Sequence, residues 1–418
     1  MVQTERGMKE DFGLLDVGER WKKHRTFLQT GMLDPKAAKG FIPGIVQAAE
    51  LASKNILKAS QNPNINLNQF LNYCSFDMFS SFMLGEMARS TESAVSNDQD
   101  DNENAMFCKS AVCLMETSSS LQRTPYEYIM NKVGIQTTGT KKAQELWNTV
   151  HRIGKAKYER FEEKYNRSDL NELEKASYYA GALTRWHNEQ AASSNSISKG
   201  EIMDLCIFAL FAGVDTTSNV LAWNLMHLAL NPGVQEKLYK ELSINTASSD
   251  GRITQQTLER STSPYLHAFI RETNRITPPF PDPLMKRNSQ KEVEVHGITF
   301  PKNTVFFLGY IGNDPNYVED AMRFMPERWF PDAVNERKNT KNEEILDHPL
   351  MRDNFGQGAR QCPGSRVATN EVLTMLAQLT LDYEISPPPH VKTLADVQHV
   401  AKPLVTPLLP QLNFKPRT

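Results

Sequence analysis

Cysteine is scarce in this chain: five in 418 residues, at 74, 108, 113, 206 and 362, with no CxxC pair and no Cys/His cluster. Such spacing argues against a disulfide framework or a zinc site, and the odd count fits a reducing compartment. A strong charge of one sign is also missing. The formal net charge is -2, so nothing in it points to nucleic acid as a partner. Long hydrophobic runs are absent as well: the most apolar stretch, LCIFALFAGV at 205–214, is too short to cross a bilayer and runs straight into DTTSN. Residues 1–20 hold no apolar run of the kind that marks a signal peptide or anchor. No internal repeat is visible.

What is present is helical periodicity. VGERWKKHRTFLQTGML, FIPGIVQAAELASKNILKAS and LNQFLNYCSFDMFSSFMLGEM each repeat apolar residues at three and four. The polar stretches SNDQDDNEN at 96–104 and AASSNSIS at 191–198 read as surface loops. A long helix is predicted from Ser198, where SKGE sets Glu201 as the far half of a capping box, to Asn231-Pro232. At 1.5 Å per residue it reaches about 45 Å, enough to cross a domain. A second helix is predicted from Ser263-Pro264, with serine as the cap, to just before Pro278-Pro279. KEVEVHGITFPKNTVFFLGY then alternates around His296-Gly297 as a small antiparallel sheet, and PLVTPLLPQLNF reads as a last irregular hairpin. The fold class is mainly α with a small β region. Length alone would suggest about two or three domains, but the pattern reads as one domain over 1–418.

The chemistry concentrates in FGQGARQCPG. Gly358 and Gly364 allow tight backbone and close approach by something bulky, Arg360 brings a cation near Cys362, and the helix beginning near Arg366 favours an anionic sulfur. Phe355, Gly358, Arg360, Cys362 and Gly364 together fit F-x-x-G-x-R-x-C-x-G, a specific pattern.

At these residues the chain resembles the cytochrome P-450 family, the haem-thiolate monooxygenases. The resemblance implies a haem b cofactor with Cys362 as the iron ligand, Phe355 beside the sulfur and Arg360 at a haem propionate. AGVDTT at 212–217 resembles the family's oxygen-side helix. There Thr216 is expected to bond the carbonyl of Ala212 and disturb the helix, with Gly213 adding room and Asp215 and Thr216 delivering protons. ETNR and FMPERW imply a buried Glu272-Arg275-Arg328 cluster with a structural role. WKKHR resembles the propionate-binding helix through Trp21 and Arg25, and Arg287 fits a second propionate cation.

The likeness runs from Trp21 to the end of the chain. Family members ordinarily carry more before that point, including an anchor or targeting sequence, first strands and a substrate-contacting loop, so the chain is expected to be N-terminally incomplete. GNDP at 312–315 departs from the family's more usual histidine and arginine before Asp-Pro. HPLMRDNFGQGARQCPGSRVA resembles the mitochondrial branch, which takes electrons from an acidic ferredoxin. Lys22, Lys23, His267 and Arg271 are candidates for the facing surface, and a flavoprotein reductase is the alternative donor. The family expectation for location is a membrane, the mitochondrial inner membrane or the endoplasmic reticulum. The implied activity is insertion of one atom of O2 into a small apolar substrate, sterol- or fatty-acid-like. A haem-thiolate isomerase or dehydratase of a peroxide, and a non-catalytic haem-binding remnant, are the alternatives.

Overall fold

The computed structural model describes residues 18–96, 102–190, 197–280, 284–287, 291–338, 343–352, 354–401 and 404–417. The longer helices among them are α1 (Gly18–Met32), α2 (Ile42–Gln61), α3 (Leu67–Leu84), α4 (Glu103–Arg123), α5 (Thr138–Asn166), α6 (Tyr178–Gln190), α7 (Lys199–Leu230), α8 (Pro232–Thr246), α9 (Pro264–Ile276) and α10 (Ser365–Asp382). The strands are short: β1 (Leu284–Arg287), β2 (Val293–Val295), β3 (Ile298–Phe300), β4 (Val305–Leu308), β5 (Tyr383–Ser386), β6 (His399–Ala401), β7 (Val405–Pro407) and β8 (Asn413–Pro416). Two polar loops named above fall partly outside the described residues, at 97–101 and 191–196.

Helix α7 starts where the capping box puts it. The Ser198 hydroxyl accepts from the Glu201 N–H at 3.2 Å, and the Glu201 carboxylate accepts from the Ser198 N–H at 2.8 Å. From there it runs 32 residues as unbroken α-helix to Leu230, and Pro232, lacking an N–H, starts α8 instead of prolonging it. The folded helix is long and apolar enough to span a membrane, unlike the isolated 205–214 stretch, yet 67% of its most apolar window is buried inside the protein. Its greasiness is that of a core rod. It packs against α3, α4, α5 and α10, and one cluster of buried apolar side chains runs from Phe27 in α1 to Phe414 in β8.

Helix α9 differs in detail from its predicted start. Ser263 makes no cap bond; its hydroxyl, fully buried, donates to the Thr257 carbonyl at 2.7 Å. The Glu241 carboxylate of α8 takes over, accepting from the N–H groups of Tyr265 at 2.8 Å and Leu266 at 2.9 Å. An anion suits a helix N-terminus better than a hydroxyl does.

The β region is four separate two-stranded antiparallel sheets among the described residues. His296 (φ 51°) and Gly297 (φ 77°) form the left-handed pair that joins β2 to β3. Strand β4 pairs with β1 upstream, placing Arg287 opposite Val305. The last stretch is not a hairpin on itself: β7 pairs with β6 and β8 with β5. Strand alternation gives no choice of partner, and these strands close on earlier ones.

His227 of α7 is fully buried, stacked on Phe324 at 4.5 Å, with Nε2 3.0 Å from the Thr277 hydroxyl. Burial, with the Arg275 charge adding to it, pushes its pKa down to about 3. The unfolded chain therefore binds the extra proton first, so stability is lost as pH falls below the ordinary histidine value of about 6.5. The loss reaches about 2 kcal/mol by pH 5. Urea midpoints between pH 7 and 5 should fall less steeply in His227→Gln than in the native chain.

Candidate active site

Between Phe355 and Gly364 the chain folds back on itself. The Cys362 N–H donates to the Phe355 carbonyl at 2.9 Å and the Gln361 N–H to the Gly358 carbonyl at 3.0 Å. Gly356 and Gly358 both sit at φ 74°, a region glycine enters without strain. At Gly358 the positive φ accounts for the tight backbone, and no described protein atom lies within 4 Å of an added Cβ. Gly364 is the one that faces the sulfur: a Cβ there would stand 3.9 Å from Cys362 Sγ and from Met32 Cε. Helix α10 follows at Ser365.

Cys362 lines a cavity of about 460 Å³, with Phe355 and Gly364 beside it, Leu28 and Met32 of α1 at one side and Phe280 at another. Helix α7 forms another wall and presents Ala212, Gly213 and Thr216. Thr216 donates to the Ala212 carbonyl at 3.0 Å, as expected, but the helix stays α through this turn, so the bond opens no break. Gly213 does not supply spare room either, because the Phe79 ring already fills the space that a Cβ would occupy. Asp215 is half-buried and does not line the cavity. A helix turns about 100° per residue, which swings it away from the face shared by Ala212 and Thr216.

Sequence reasoning missed the neighbour behind that face. The Thr217 hydroxyl donates at 3.2 Å to Glu371 of α10, which is completely buried. Burial pushes the Glu371 pKa up to about 8 against the pull of that one bond, so the group is a neutral acid at pH 7. Its signal was a lone glutamate nine places after Cys362 in an apolar helix.

Cations gather at one edge. The Arg360 guanidinium lies 3.9 Å from the centre of the Trp21 ring. Arg25, buried, donates through Nε to Gln29 at 2.9 Å. Burial lowers its pKa, the Cys362 thiolate raises it and the Arg360 charge lowers it again, so all three are electrostatic neighbours. The described residues lining the cavity include no carboxylate. Two guanidiniums near a soft anionic ligand, at the mouth of an apolar slot, fit a flat iron macrocycle carrying its own carboxylates. Arg287 ends β1, and its side chain lies outside the described residues.

The predicted arginine–glutamate cluster forms around α9. Buried Glu272 accepts from Arg275 at 2.8 and 2.9 Å, from the Met325 N–H at 3.0 Å and from Trp329 Nε1 at 2.9 Å, with Arg328 Nε at 3.6 Å. Arg271 lies over Trp329 at 3.7 Å and pairs with Asp347 at 3.6 Å. His267 bonds the Leu258 carbonyl at 2.9 Å, and burial lowers its pKa, so it adds no positive charge at pH 7. These groups border a second cleft of about 950 Å³, which reaches Phe355 and whose described lining has Arg260, Arg271 and Arg275 but no acid.

A cysteine-bearing glycine loop facing a hydroxyl-bearing helix across an apolar slot has the layout of a haem-thiolate protein. The chain belongs to the cytochrome P450 family, whose profile matches residues 2–414. It is similar to the mitochondrial sterol 26-hydroxylases of Mus musculus (38% identical over 193 residues, 45% of this chain and 34% of that protein) and Homo sapiens (31% over 262 residues, 62% and 46%). It is also similar to the mitochondrial cholesterol side-chain cleavage enzyme of Mus musculus, 26% identical over 414 residues, 96% of this chain and 71% of that protein. The match thus spans between a third and a half of the length of these sterol 26-hydroxylases.

The crowding at Gly213 is testable. Gly213→Ala should lower stability by about 1–3 kcal/mol, as overpacking does. Urea denaturation of Gly213→Ala with and without Phe79→Leu should show the second substitution restoring most of the loss.

Proposed function

We propose that residues 1–418 act as a single haem domain of a monooxygenase, with Cys362 as the iron ligand. The observation that carries the reading is that Cys362 and Thr216, from two different elements, line one apolar cavity. When bound, haem with a thiolate ligand supplies electron-rich iron able to activate O2 with two electrons.

The chain's own residues supply the rest. Phe355 and the Gly364 backbone keep the sulfur enclosed, while Arg360 and Arg25 would answer the propionates. Leu28, Phe208, Ala209 and Phe280 exclude water and offer an apolar surface to the substrate. Thr216 would deliver protons from the cavity wall once its hydroxyl turns from the Ala212 carbonyl, and Asp215, one residue away but off that face, is the acid we assign to replenish them. Glu272, Arg275 and Arg328 keep the Met325–Trp329 segment in place against α9. The peroxide-rearranging alternative needs no such donor, so the cavity-facing Thr216 favours oxygen activation.

A sterol is the substrate class we favour, since the similar enzymes are named sterol 26-hydroxylase and cholesterol side-chain cleavage enzyme. For the electron donor we favour an acidic ferredoxin over a flavoprotein reductase. The cleft whose described lining holds arginines and no acid supports that choice, together with Lys22 and Lys23 on α1. Of the four cations assigned to that surface, His267 drops out because it is neutral.

The reduced, carbon monoxide-treated chain should show the red-shifted Soret band of thiolate ligation, and Cys362→Ala should abolish it. A native chain that takes up no haem would defeat the proposal. With ferredoxin, its reductase and a sterol, Thr216→Ala should keep consuming NADPH while product falls about tenfold or more. Unchanged product yield would remove the hydroxyl from the mechanism.

A further inference from the structure

The capping box of α7 does more than close a helix end. Its carboxylate has two oxygens, and only Oε2 is taken by the Ser198 N–H. Oε1 of Glu201 lies 2.8 Å from Nε2 of His24 in α1, a residue 177 positions away in sequence and 2% exposed. Burial raises the Glu201 pKa, but the bonds from Ser198 and His24 and the charge of Lys23 outweigh it and hold the group at about 2. Glu201 is therefore a carboxylate throughout the physiological range, and Nε2 of His24 must be the donor. The other ring nitrogen, Nδ1, is buried and has no hydrogen-bond partner among the described residues, so among them a single bond ties this imidazole in place.

That bond sits at a sensitive point on α1. Arg25 is the next residue, Trp21 lies one turn earlier, and Leu28 and Met32 one and two turns later line the cavity. A second tie, from the Tyr178 hydroxyl to the Leu28 carbonyl at 3.0 Å, holds the helix one turn further on. Two ties at different heights fix both the position of a helix and its rotation about its axis. Without the first, the Tyr178 bond, the packing of Phe27, Leu28 and Met32 and the longer Lys23–Glu201 contact at 3.9 Å are left to hold the rotation of α1, and a roll toward the next residue step, about 100°, turns Arg25 away from Arg360.

We infer that His24 and Glu201 are positioning residues that lock α1 against the start of α7, so that Trp21 and Arg25 stand ready for the haem carboxylates. This rests on the haem reading above. The same pair ties the helix bearing Thr216 to the helix bearing the propionate cations, so one half-buried charge-assisted bond helps set the register of two walls of the site.

The test uses the full chain and four proteins: native, His24→Phe, His24→Gln and Ser198→Ala. Haem loss is followed by transfer to apomyoglobin, the carbon monoxide spectrum reports thiolate ligation, and hydrogen exchange of the α1 amides is measured on the haem-free chain. In His24→Phe, haem loss should quicken about tenfold, as removal of one charge-assisted bond implies. Part of the carbon monoxide band should shift to the form lacking thiolate, and α1 exchange should rise about as much with no haem present. His24→Gln still donates and should return these values to within about threefold of native. Ser198→Ala weakens the cap but spares the His24 bond, so its urea midpoint should drop while haem loss stays native. Native α1 exchange in His24→Phe would overturn the inference whether or not haem binds. So would haem loss in Ser198→Ala equal to that in His24→Phe, because the effect would then be helix capping. A native chain that takes up no haem, yet shows the exchange difference, would instead sink the haem reading and with it the role assigned to the lock.

Discussion

The contact of α7 with α10 organises the molecule. One helix carries Thr216 and the other follows directly from the cysteine loop, so their packing sets the distance between a hydroxyl and a sulfur across the cavity. Neither helix can shift without dragging its half of the site. Buried between them, Thr217 and Glu371 add a polar bond to apolar packing. An unbroken 32-residue α7 is rigid enough to serve as the fixed reference against which α1, α3 and the loop are placed.

Three carboxylates show how bonding sets chemical state. Glu371, with one hydroxyl for company, is pushed up to about 8 and stays neutral, while Glu201, with donors from Ser198 and His24, is held at about 2 and stays charged. Glu272 accepts from two arginine nitrogens, an indole and a backbone N–H, and knits α9 to the segment through Trp329. A buried carboxylate is tolerated only when enough donors surround it or when it gives up its charge. The oxygen-side helix is thus flanked by a neutral acid at its centre and an anion at its start.

Family membership and physical layout agree on the site but carry different loads. Membership follows from the profile match over residues 2–414. The sterol substrate and the ferredoxin donor remain proposals, built on partial-length similarity and on a cleft of about 950 Å³ whose described lining holds arginines and no acid. Arg271 illustrates the difference: it faces that cleft, yet Trp329 and Asp347 already engage it, so the charge it can offer a partner is reduced.

The sequence by itself determined the elements governed by local rules. The capping box at Ser198, the stop at Pro232, the left-handed His296-Gly297 turn and the spacing around Cys362 are each decided by residues a few places apart. Only the tertiary structure decided what distant residues share. It gave the cap of α9 to Glu241 instead of Ser263, filled the space at Gly213 with Phe79, and paired β7 and β8 with earlier strands. It also turned Asp215 off the cavity face and brought Glu371 behind Thr217 and His24 to Glu201. Local backbone geometry is written in neighbouring residues, whereas burial, and with it the charge state of every acid in the site, exists only once remote helices have packed.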